Sequence, residues 1–333
     1  MSFFTENDIR PSHLDLDKEA AYARDVARLL RHKMDFVTVP CPACNGREHV
    51  MKWQKLELNY CECANCGTIY VSPRPGPAAL SDYYSNSELY DYWRRHIFPA
   101  SETTRRERIF RPRLERVLAL CTEHGIKPQS LIEVGPGFGT FCELAMQSRL
   151  FRTVLAIEPT RSLAEACRER GISVIEKPIE EVDLGQHPAD VLAGFEVIEH
   201  LLDPGNFLKA CAKSIRPGGL LVLTCPNGRG FEVEVLGVAS DTVDTEHLNY
   251  FNPRSINLLV GSSGFEVLEV STPGVLDADI VRNKALKGKI DLSRQRFLEI
   301  VLLERWNDIG ESFQRFLRDS LLSSHMWLVA RKK

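Results

Sequence analysis

Three glycines at alternate positions, Gly135, Gly137 and Gly139, follow an apolar run that contains the acid Glu133. Apolar residues recur at helical spacing after Gly139, so the pattern predicts a strand, a tight loop and a helix. Glycines let the backbone approach a ligand without Cβ collisions, and free N–H groups at the start of a helix favour an anionic group. The stretch therefore predicts a nucleotide-type pocket at the first strand of a doubly wound sheet.

Further residues at the ends of predicted strands could complete such a pocket. Glu158 closes the second predicted strand and precedes Pro159. A carboxylate in that place can accept hydrogen bonds from the two hydroxyls of a ribose. Ile179 and Glu180 follow the third predicted strand, where an adenine could be contacted.

Carboxylates and imidazoles are expected at the carboxyl ends of the fourth and fifth strands. The fourth strand ends at Phe195. Glu196, Glu199 and His200 follow at positions i, i+3 and i+4, so they share one face if the segment is helical. His247 follows the fifth strand and can point into the same cleft.

Three roles are open to these four side chains. His247 could act as a general base, because an imidazole with a pKa of about 6.5 accepts a proton at neutral pH. The acids and histidines could instead bind Mg²⁺, which would act as a Lewis acid on an acceptor hydroxyl. The third role is a polar network that shapes the pocket and satisfies buried groups.

Half of the ten cysteines lie in one short stretch and have the spacing of metal ligands. Cys41 and Cys44 form one CxxC pair, and Cys63 and Cys66 form another. Two such pairs present four thiolates to zinc in a tetrahedron, and a site filled by cysteine is structural. Cys61 is the fifth cysteine of this stretch, and it takes the place of one of the four ligands if the zinc-binding cysteines of the second pair are shifted along the chain. The alternative is a reduced thiol cluster without metal.

The composition indicates a globular protein with a sizeable core. The chain has 333 residues, of which 44% are hydrophobic, and a formal net charge of −3. This charge offers no positive excess for a polyanion, which disfavours nucleic acid as the main partner. The start of the chain lacks the basic and apolar regions of a secretory leader, and no run reaches the ~20 apolar residues of a membrane span. We therefore expect a cytoplasmic protein with no membrane insertion.

Strand and helix signals alternate along most of the chain, which predicts an α/β fold with a doubly wound, seven-stranded Rossmann-like sheet. The aromatic segment 79–100 either lines a substrate pocket or joins the zinc module to the main domain. The arginine-rich helix 104–121 is predicted to expose its charged side chains to solvent. The expected segments are an N-terminal helix in 1–37, a zinc-ribbon-like module in 38–76, an aromatic and helical linker and cap in 77–125, a cofactor-binding core in 126–273, a helical insertion in 274–322, and the last strand with a basic tail in 323–333.

The glycine spacing separates two families of nucleotide pocket. A dinucleotide loop of the GxGxxG kind would need glycine at position 140, where this chain has Thr140. The pattern resembles motif I of class I methyltransferases that depend on S-adenosylmethionine (SAM). The resemblance implies a methyltransferase sheet with SAM as the cofactor. The cofactor-binding residues it implies are Glu133, Gly135, Gly137, Gly139, Glu158, Pro159, Ile179, Glu180, Phe195 and Glu196.

Two further resemblances concern the acceptor. The Glu-Val-Ile-Glu-His segment at 196–200 is similar to ubiquinone-biosynthesis O-methyltransferases and small-RNA 2′-O-methyltransferases, where such acids and histidines bind a divalent cation. The layout of 41–264, with its zinc module and a His-Leu-Asn-Tyr-Phe segment that begins at His247, more closely resembles methyltransferases of nucleotide-linked deoxysugars. In those enzymes the matching histidine is a candidate base. This chain lacks their His-Gly-Gly-Ser-Leu-Arg segment and further C-terminal domain, and has Gly-Val-Leu-Asp at 274–277.

The resulting prediction is a SAM-dependent methyltransferase that methylates a sugar nucleotide or glycan-type small acceptor, at a hydroxyl. One alternative is methylation of an RNA end or a quinone-like phenol, with Mg²⁺ at Glu196, Glu199, His200 and His247. An alternative of another class is a catalytically silent scaffold that binds a partner protein. The insertion 274–322 would lie beside the active-site mouth as a lid, an acceptor-binding element or a homodimer contact.

Overall fold

The computed structural model describes residues 5–9, 11–185 and 188–333. Residues 1–4 and 10 of the predicted segment 1–37, and 186–187 of the predicted core 126–273, lie outside this described part. Its strands are β1 His49–Lys55, β2 Leu58–Cys63, β3 Ile69–Val71, β4 Ser130–Val134, β5 Thr153–Ile157, β6 Ser173–Ile175, β7 Ala189–Phe195, β8 Ile215–Pro226, β9 Asn249–Tyr250, β10 Phe265–Ser271 and β11 His325–Lys332. Its α-helices are α1 Asp15–Leu30, α2 Pro77–Ser85, α3 Glu88–Tyr92, α4 Phe98–Arg105, α5 Arg111–Glu123, α6 Thr140–Ser148, α7 Arg161–Glu169, α8 Pro204–Ser214, α9 Phe231–Leu236, α10 Pro253–Gly261, α11 Asp277–Leu286, α12 Arg296–Glu299 and α13 Trp306–Asp319.

The larger sheet has seven strands in the order β10-β11-β8-β7-β4-β5-β6. Strands β6, β5, β4, β7 and β8 are parallel, and β11 is antiparallel to both of its neighbours. The strand order reverses between β4 and β7, and in open α/β sheets a ligand crevice forms at the carboxyl ends of such strands. The predicted α/β class with a seven-stranded sheet is confirmed.

The centre of this sheet is covered on both faces. All of β7 is buried, and β8 is buried from Leu220 to its end. Apolar runs of this kind are typical of parallel strands that have helices on both sides. Strand β8 begins at Ile215, which pairs with Ala189 ahead of a register shift.

A second sheet joins the cysteine-rich module to the main domain. Its four strands have the order β1-β2-β3-β9, and β9 comes from the segment that follows His247. Ile69 pairs with Tyr250, and Tyr70 pairs with Asn249. The two tyrosines are fully buried. This pairing fixes the position of the His247 segment against the cysteine-rich module.

The N-terminal helix α1 is fastened to the aromatic segment by one buried carboxylate. Asp25 is 0% exposed and accepts hydrogen bonds from Ser87 Oγ at 2.7 Å, Glu88 N at 3.0 Å and Leu89 N at 2.9 Å. Arg28, one turn further along α1, forms an ion pair with the same carboxylate. Asp25 therefore satisfies the free N–H groups at the start of α3 from another helix.

Replacing Asp25 by alanine should lower the free energy of unfolding by about 3 kcal/mol, because it leaves buried donors without partners and Arg28 without its counter-ion. The change is measured by urea unfolding. Asp17→Ala, an exposed site on the same helix, is the matched control and should change stability by no more than ~0.5 kcal/mol. Equal stability of the two variants would contradict this role for Asp25.

The predicted insertion between the sixth and seventh strands of the large sheet contains α11, α12, α13 and a π-helical turn at Ile300–Glu304. Its apolar side chains, including Val281, Leu302 and Leu317, form a core of their own with Leu236. Phe297 is exposed on its surface, and the homodimer contact through 274–322 stays a prediction. Within the described residues, no helix combines the length and the hydropathy that a membrane crossing needs.

Candidate active site

The glycine loop joins β4 to α6 at the carboxyl end of the central strand. Gly135, Gly137 and Gly139 have φ values of 65°, 55° and 78°, a region that glycine enters at little cost. A Cβ on Gly135 would lie 2.6 Å from Val197 Cγ2, and one on Gly139 would lie 2.6 Å from Ile172 Cδ1. A Cβ on Gly137 would meet no atom of the described residues within 4 Å. The loop is therefore packed on one side and presents bare backbone to open space on the other, which fits a bound SAM.

The two predicted acids end neighbouring strands and are both buried. Glu133 is 2% exposed and accepts a hydrogen bond from Cys142 Sγ at 3.0 Å. Glu158 is 4% exposed and accepts one from Thr160 N at 2.8 Å. Burial raises the pKa of Glu133 and that of Glu158 to about 7. Few protein groups donate hydrogen bonds to these buried carboxylates, so each can accept further bonds from hydroxyl or amino groups of a ligand.

The other predicted cofactor residues are not all brought to the loop. Phe195 ends β7, and its ring lies 4.8 Å from that of Phe141 in α6. Pro159 is exposed beside Glu158. Ile179 is 2% exposed and belongs to the core. Glu180 is exposed and lines a separate cavity of about 540 Å³ beside α8.

The backbone conformation at Glu196 keeps its side chain apart from those of Glu199 and His200. Its φ is 57°, and the helical turn that follows is a 3₁₀ turn limited to Ile198–His200. Its side chain accepts hydrogen bonds from Thr224 Oγ1 at 2.6 Å and Arg113 Nη2 at 2.9 Å, with His325 Nδ1 at 3.5 Å. Burial opposes ionisation, but His325 and Arg113 hold the pKa of Glu196 below its ordinary value.

The interpretation of the arginine-rich helix as a solvated face is wrong for Arg113. Its side chain is 11% exposed and stacks on Phe195, with the guanidinium carbon 4.8 Å from the ring centroid. Its ion pair with Glu196 spans two elements that are distant in sequence. Arg113, Thr224 and His325 were therefore missed, because no local pattern marks them.

Glu199, His200 and His247 converge on one point. Their ligand-type atoms lie within 4.8 Å of one another. His200 Nδ1 lies 3.2 Å from the carbonyl oxygen of Glu246, and His247 Nδ1 lies 2.8 Å from that of Thr242. A carbonyl accepts only, so each Nδ1 carries a hydrogen, and in the neutral form of either ring Nε2 is the acceptor atom. Glu199 is 0% exposed, and neither of its oxygens has a hydrogen-bond partner in the described part of the chain.

The charges of this group are set by burial and by nearby acids. Burial raises the pKa of Glu199 well above its ordinary value, and it lowers that of His200 well below. For His247 burial acts in the opposite direction to Asp244 and Glu199, and the acids prevail, so its pKa rises to about 9. Asp244 Oδ2 lies 3.4 Å from His247 Nδ1. The arrangement is a carboxylate-backed imidazole beside a neutral one.

Tyrosines of the aromatic segment contact Glu246 and His200. Tyr83 donates to Glu246 Oε1 at 3.1 Å, and Tyr90 donates to Oε2 at 3.2 Å. The hydroxyl of Tyr84 lies 3.4 Å from His200 Nδ1. Tyr83 is also part of the core shared with the cysteine-rich module. The aromatic segment therefore fills both roles that the sequence left open, as an interface and as a wall of the site.

A cavity of about 820 Å³ opens above these side chains. His200 and His247 line it together with Tyr22, Trp93 and Phe138. Phe138 belongs to the glycine loop, so the cavity extends from the expected position of the cofactor to the histidines. Its volume lies in the upper part of the ~300–1,000 Å³ range of small-molecule sites.

The four predicted zinc ligands form one cluster. Cys41 Sγ lies 3.5 Å from Cys66 Sγ, and Cys44 Sγ lies 3.5 Å from Cys63 Sγ. Four thiolates placed about 2.3 Å from a tetrahedral zinc would be roughly 3.8 Å apart, so the cluster fits the ion. Cys61 is outside the cluster and points to the carbonyl oxygen of Ser72.

The sheet order, the bare glycine loop and the two buried acids define a class I SAM-dependent methyltransferase. Comparison of the sequence with known families agrees. The chain belongs to the methyltransferase domain family, whose sequence model matches residues 103–270.

The names of two similar proteins give different methylated atoms, oxygen in one and carbon in the other. Over 104 residues the chain is 35% identical to a ubiquinone biosynthesis O-methyltransferase of Caulobacter sp. strain K31. This alignment covers 29% of this chain and 40% of that protein. Over 176 residues it is 28% identical to C-methyltransferase NovU of Streptomyces niveus, covering 50% of this chain and 40% of that protein. A SAM-dependent methyltransferase structure from Clostridium acetobutylicum aligns with a TM-score of 0.47 at 8% identity, over 74% of this chain and 99% of that one.

The chain thus matches about two fifths of the length of these curated relatives. The family match begins inside α4 and ends inside β10. The cysteine-rich module, Tyr90, Trp93 and the insertion lie outside it. Those elements build much of the cavity wall, so the family match alone does not define an acceptor.

Proposed function

We propose that the protein transfers the methyl group of SAM to a hydroxyl of a sugar or glycan-type small acceptor. The observation that carries this proposal is the large cavity, in which His247 and Glu196 lie together with the rings of Tyr90 and Trp93. The rings offer apolar faces and the polar groups offer partners for hydroxyls. A hydroxyl acceptor also needs a base, and His247 is the side chain best placed for that role.

In this mechanism SAM supplies an electrophilic methyl group beside the glycine loop. His247 Nε2 accepts the proton of the acceptor hydroxyl, while Asp244 and the Thr242 carbonyl hold the ring through Nδ1. Because the pKa of His247 is raised to about 9, the imidazole must lose its proton before it can accept another. Tyr90 and Trp93 orient the acceptor and exclude water.

A second candidate is a Mg²⁺-assisted methylation of an RNA end or a quinone-like phenol. The observation that favours it is the carboxylate of Glu199, which has no hydrogen-bond partner in the described residues and lies within 4.8 Å of a ring nitrogen of His200 and one of His247. Histidines tied to backbone carbonyls through one nitrogen are a common arrangement around metal ions. Mg²⁺ there would polarise the acceptor hydroxyl.

The deciding experiment measures release of S-adenosylhomocysteine with a panel of sugars, sugar nucleotides, phenols and short RNAs. Turnover with a sugar hydroxyl that needs no added Mg²⁺ in zinc-loaded protein supports the first proposal. Turnover only with RNA or phenol and only with Mg²⁺ supports the second. An RNA acceptor would in addition lose affinity steeply with added salt. Protein that binds no S-adenosylhomocysteine would overturn both proposals.

The cysteine cluster is proposed to hold one structural zinc ion. The supporting observation is the set of four thiols with Sγ atoms within 4.8 Å of one another. With four sulfur ligands the ion has no open position for a substrate, so its role is to hold the module together.

The affinity for S-adenosylhomocysteine should depend on pH through Glu158. Its pKa of about 7 in the cofactor-free protein is raised by burial, and ribose hydroxyls bind the ionised form. Below that pKa binding must remove a proton, so affinity should fall about tenfold from pH 8 to pH 6. Calorimetry at several pH values measures this. Glu158→Gln should reduce the dependence to the part contributed by Glu133, whose pKa is also about 7, whereas Glu165→Gln, an exposed site on α7, should keep the full dependence.

A further inference from the structure

Arg74 is a buried arginine that has no carboxylate partner. It is 2% exposed, and its Nε donates to the carbonyl oxygen of Val71 at 3.1 Å. Its two other nitrogens donate to the carbonyl oxygen of Leu202 at 3.3 Å and to Asn249 Oδ1 at 3.2 Å. These oxygens are all neutral, and Arg74 forms no ion pair in the part of the chain that the structure describes. Because a buried cation without a counter-charge is strongly unfavourable, a negative group is expected nearby.

The contacts of Arg74 lead to the cysteine cluster through Tyr70. Asn249, which accepts from Arg74, is the partner of Tyr70 in the β3–β9 pairing. Tyr70 packs in one buried core with three of the predicted zinc ligands, Cys41, Cys63 and Cys66. The guanidinium therefore lies on the side of Tyr70 that belongs to the acceptor site, and the thiols pack against the same residue.

The cysteines are the groups that can supply the negative charge. Burial lowers the pKa of Arg74 to about 10, so the side chain stays charged at neutral pH, and Tyr70 and Cys41 both act against that decrease. Burial raises the pKa of the Tyr70 phenol, which therefore stays neutral. Four thiolates that bind one zinc ion leave two of their negative charges unbalanced.

The hydroxyl of Tyr70 is an independent indication of the same charge. Tyr70 is fully buried, and its hydroxyl has no hydrogen-bond partner within the described residues. A buried donor without an acceptor is unfavourable, and a metal-bound thiolate would be an acceptor for it. Tyr70 and Arg74 are thus two buried groups that both fit an anionic cluster.

Arg74 also holds the turn that follows His200. Asn249 Nδ2 donates to the carbonyl oxygen of Leu201 at 2.7 Å, and Arg74 Nη1 donates to that of Leu202. These two carbonyl groups directly follow His200, which lines the acceptor cavity. Arg74 and Asn249 therefore fix the backbone at one wall of that cavity.

We propose that the zinc–thiolate cluster is the counter-charge of Arg74, and that Arg74 is the positioning residue through which the cluster fixes the turn of His200. Arg74 is not among the described residues that line the cavity, so it acts through its contacts with this turn. The inference rests on the proposed zinc ion. It extends the role of that ion from holding the module together to shaping the acceptor site.

The test measures the zinc affinity of the full-length protein by competition with a chromophoric chelator. Arg74→Gln removes the charge and keeps an amide donor, and it should bind zinc at least about tenfold more weakly, as is typical when a partner of metal ligands is lost. Arg74→Lys keeps the charge without the planar fork and should stay within about threefold of wild type. The matched control is Arg47→Gln, at an exposed arginine of the same module, which should bind like wild type because solvent screens its charge.

Equal loss of zinc affinity in Arg74→Lys and Arg74→Gln would show a packing role and overturn the inference, as would wild-type affinity in Arg74→Gln. If Arg74→Gln does not fold, Arg74→Lys decides, and a tenfold loss there overturns the inference. Wild type that retains no zinc in elemental analysis removes the proposed zinc site and this inference together. Binding of S-adenosylhomocysteine tests the proposed methyl transfer separately.

The imidazole NMR signals of His200 test the positioning role at saturating zinc. They should be shifted in Arg74→Gln even when the cluster is full, because the turn has lost its contact with the guanidinium. In Arg47→Gln they should coincide with those of wild type. Unshifted His200 signals in zinc-saturated Arg74→Gln would contradict the positioning role.

Discussion

His247→Ala is expected to lower kcat by roughly a thousandfold, the typical contribution of a positioned general base. The side chain is one of two imidazoles in the cavity, and Asp244 and the carbonyl of Thr242 fix its ring. The acids predicted to bind the cofactor lie at the ends of β4 and β5, away from this change, so affinity for S-adenosylhomocysteine should stay within about twofold of wild type. Single-turnover methylation and calorimetry measure the two quantities.

Two further variants separate a base from a packing role. His247→Gln keeps much of the volume and can still donate to the Thr242 carbonyl, but it cannot take up a proton, so it should be about as inactive as the alanine variant. His13→Ala, at an exposed histidine, should be fully active. Near-normal turnover of His247→Gln would eliminate His247 as the base.

The metal alternative makes the opposite prediction for Glu199. A base mechanism tolerates Glu199→Gln, because Glu199 is not the proton acceptor in that mechanism and an amide is close to a carboxyl group in size and shape. A Mg²⁺ mechanism does not, because the carboxylate would be a ligand. Loss of turnover in Glu199→Gln, restored by excess Mg²⁺, would favour the metal.

Local sequence patterns were sufficient for the elements that hold the expected cofactor. Gly135, Gly137 and Gly139 are contiguous with the strand and helix that they connect, and Glu158 ends a strand of clear apolar pattern. The cysteine cluster was equally accessible, because the spacing within each CxxC pair dictates the geometry. In these cases the residues that act together are close in sequence or end neighbouring strands.

The acceptor side was less predictable, because its contacts join distant elements. Spacing alone suggested that Glu196 shares a face with Glu199, but its positive φ turns the backbone and Arg113 and Thr224 take the carboxylate. The bonds from tyrosines of α2 and α3 to Glu246 depend on how those helices lie over β9. No window of sequence contains both partners.

The pairing of β3 with β9 couples the cysteine-rich module to the segment that carries His247. Val71 N donates to the carbonyl oxygen of Leu248 at 3.0 Å, and the buried Arg74 donates to Asn249 Oδ1 at 3.2 Å. Leu248 directly follows His247. A module that loses its fold would therefore release the segment that carries the proposed base, while the glycine loop stays in the large sheet.

Loss of zinc should consequently abolish turnover without abolishing cofactor binding. Cys63→Ser removes a ligand at the end of β2, and a module of this size depends on its metal for folding, so kcat should fall by at least about a hundredfold. Affinity for S-adenosylhomocysteine should change only a few-fold, since Glu133 and Glu158 belong to the other sheet. Elemental analysis, circular dichroism and calorimetry on the same preparation give the three readouts.

Cys61→Ser is the matched control, because Cys61 is also buried and lies two residues before the cluster member Cys63 in β2. It should retain one zinc per chain and most of the activity. If Cys61→Ser loses the metal and Cys63→Ser keeps it, Cys61 binds the zinc in place of Cys63. If Cys63→Ser loses zinc and remains fully active, the β3–β9 pairing does not position His247 for catalysis, and the link between the module and the proposed chemistry fails.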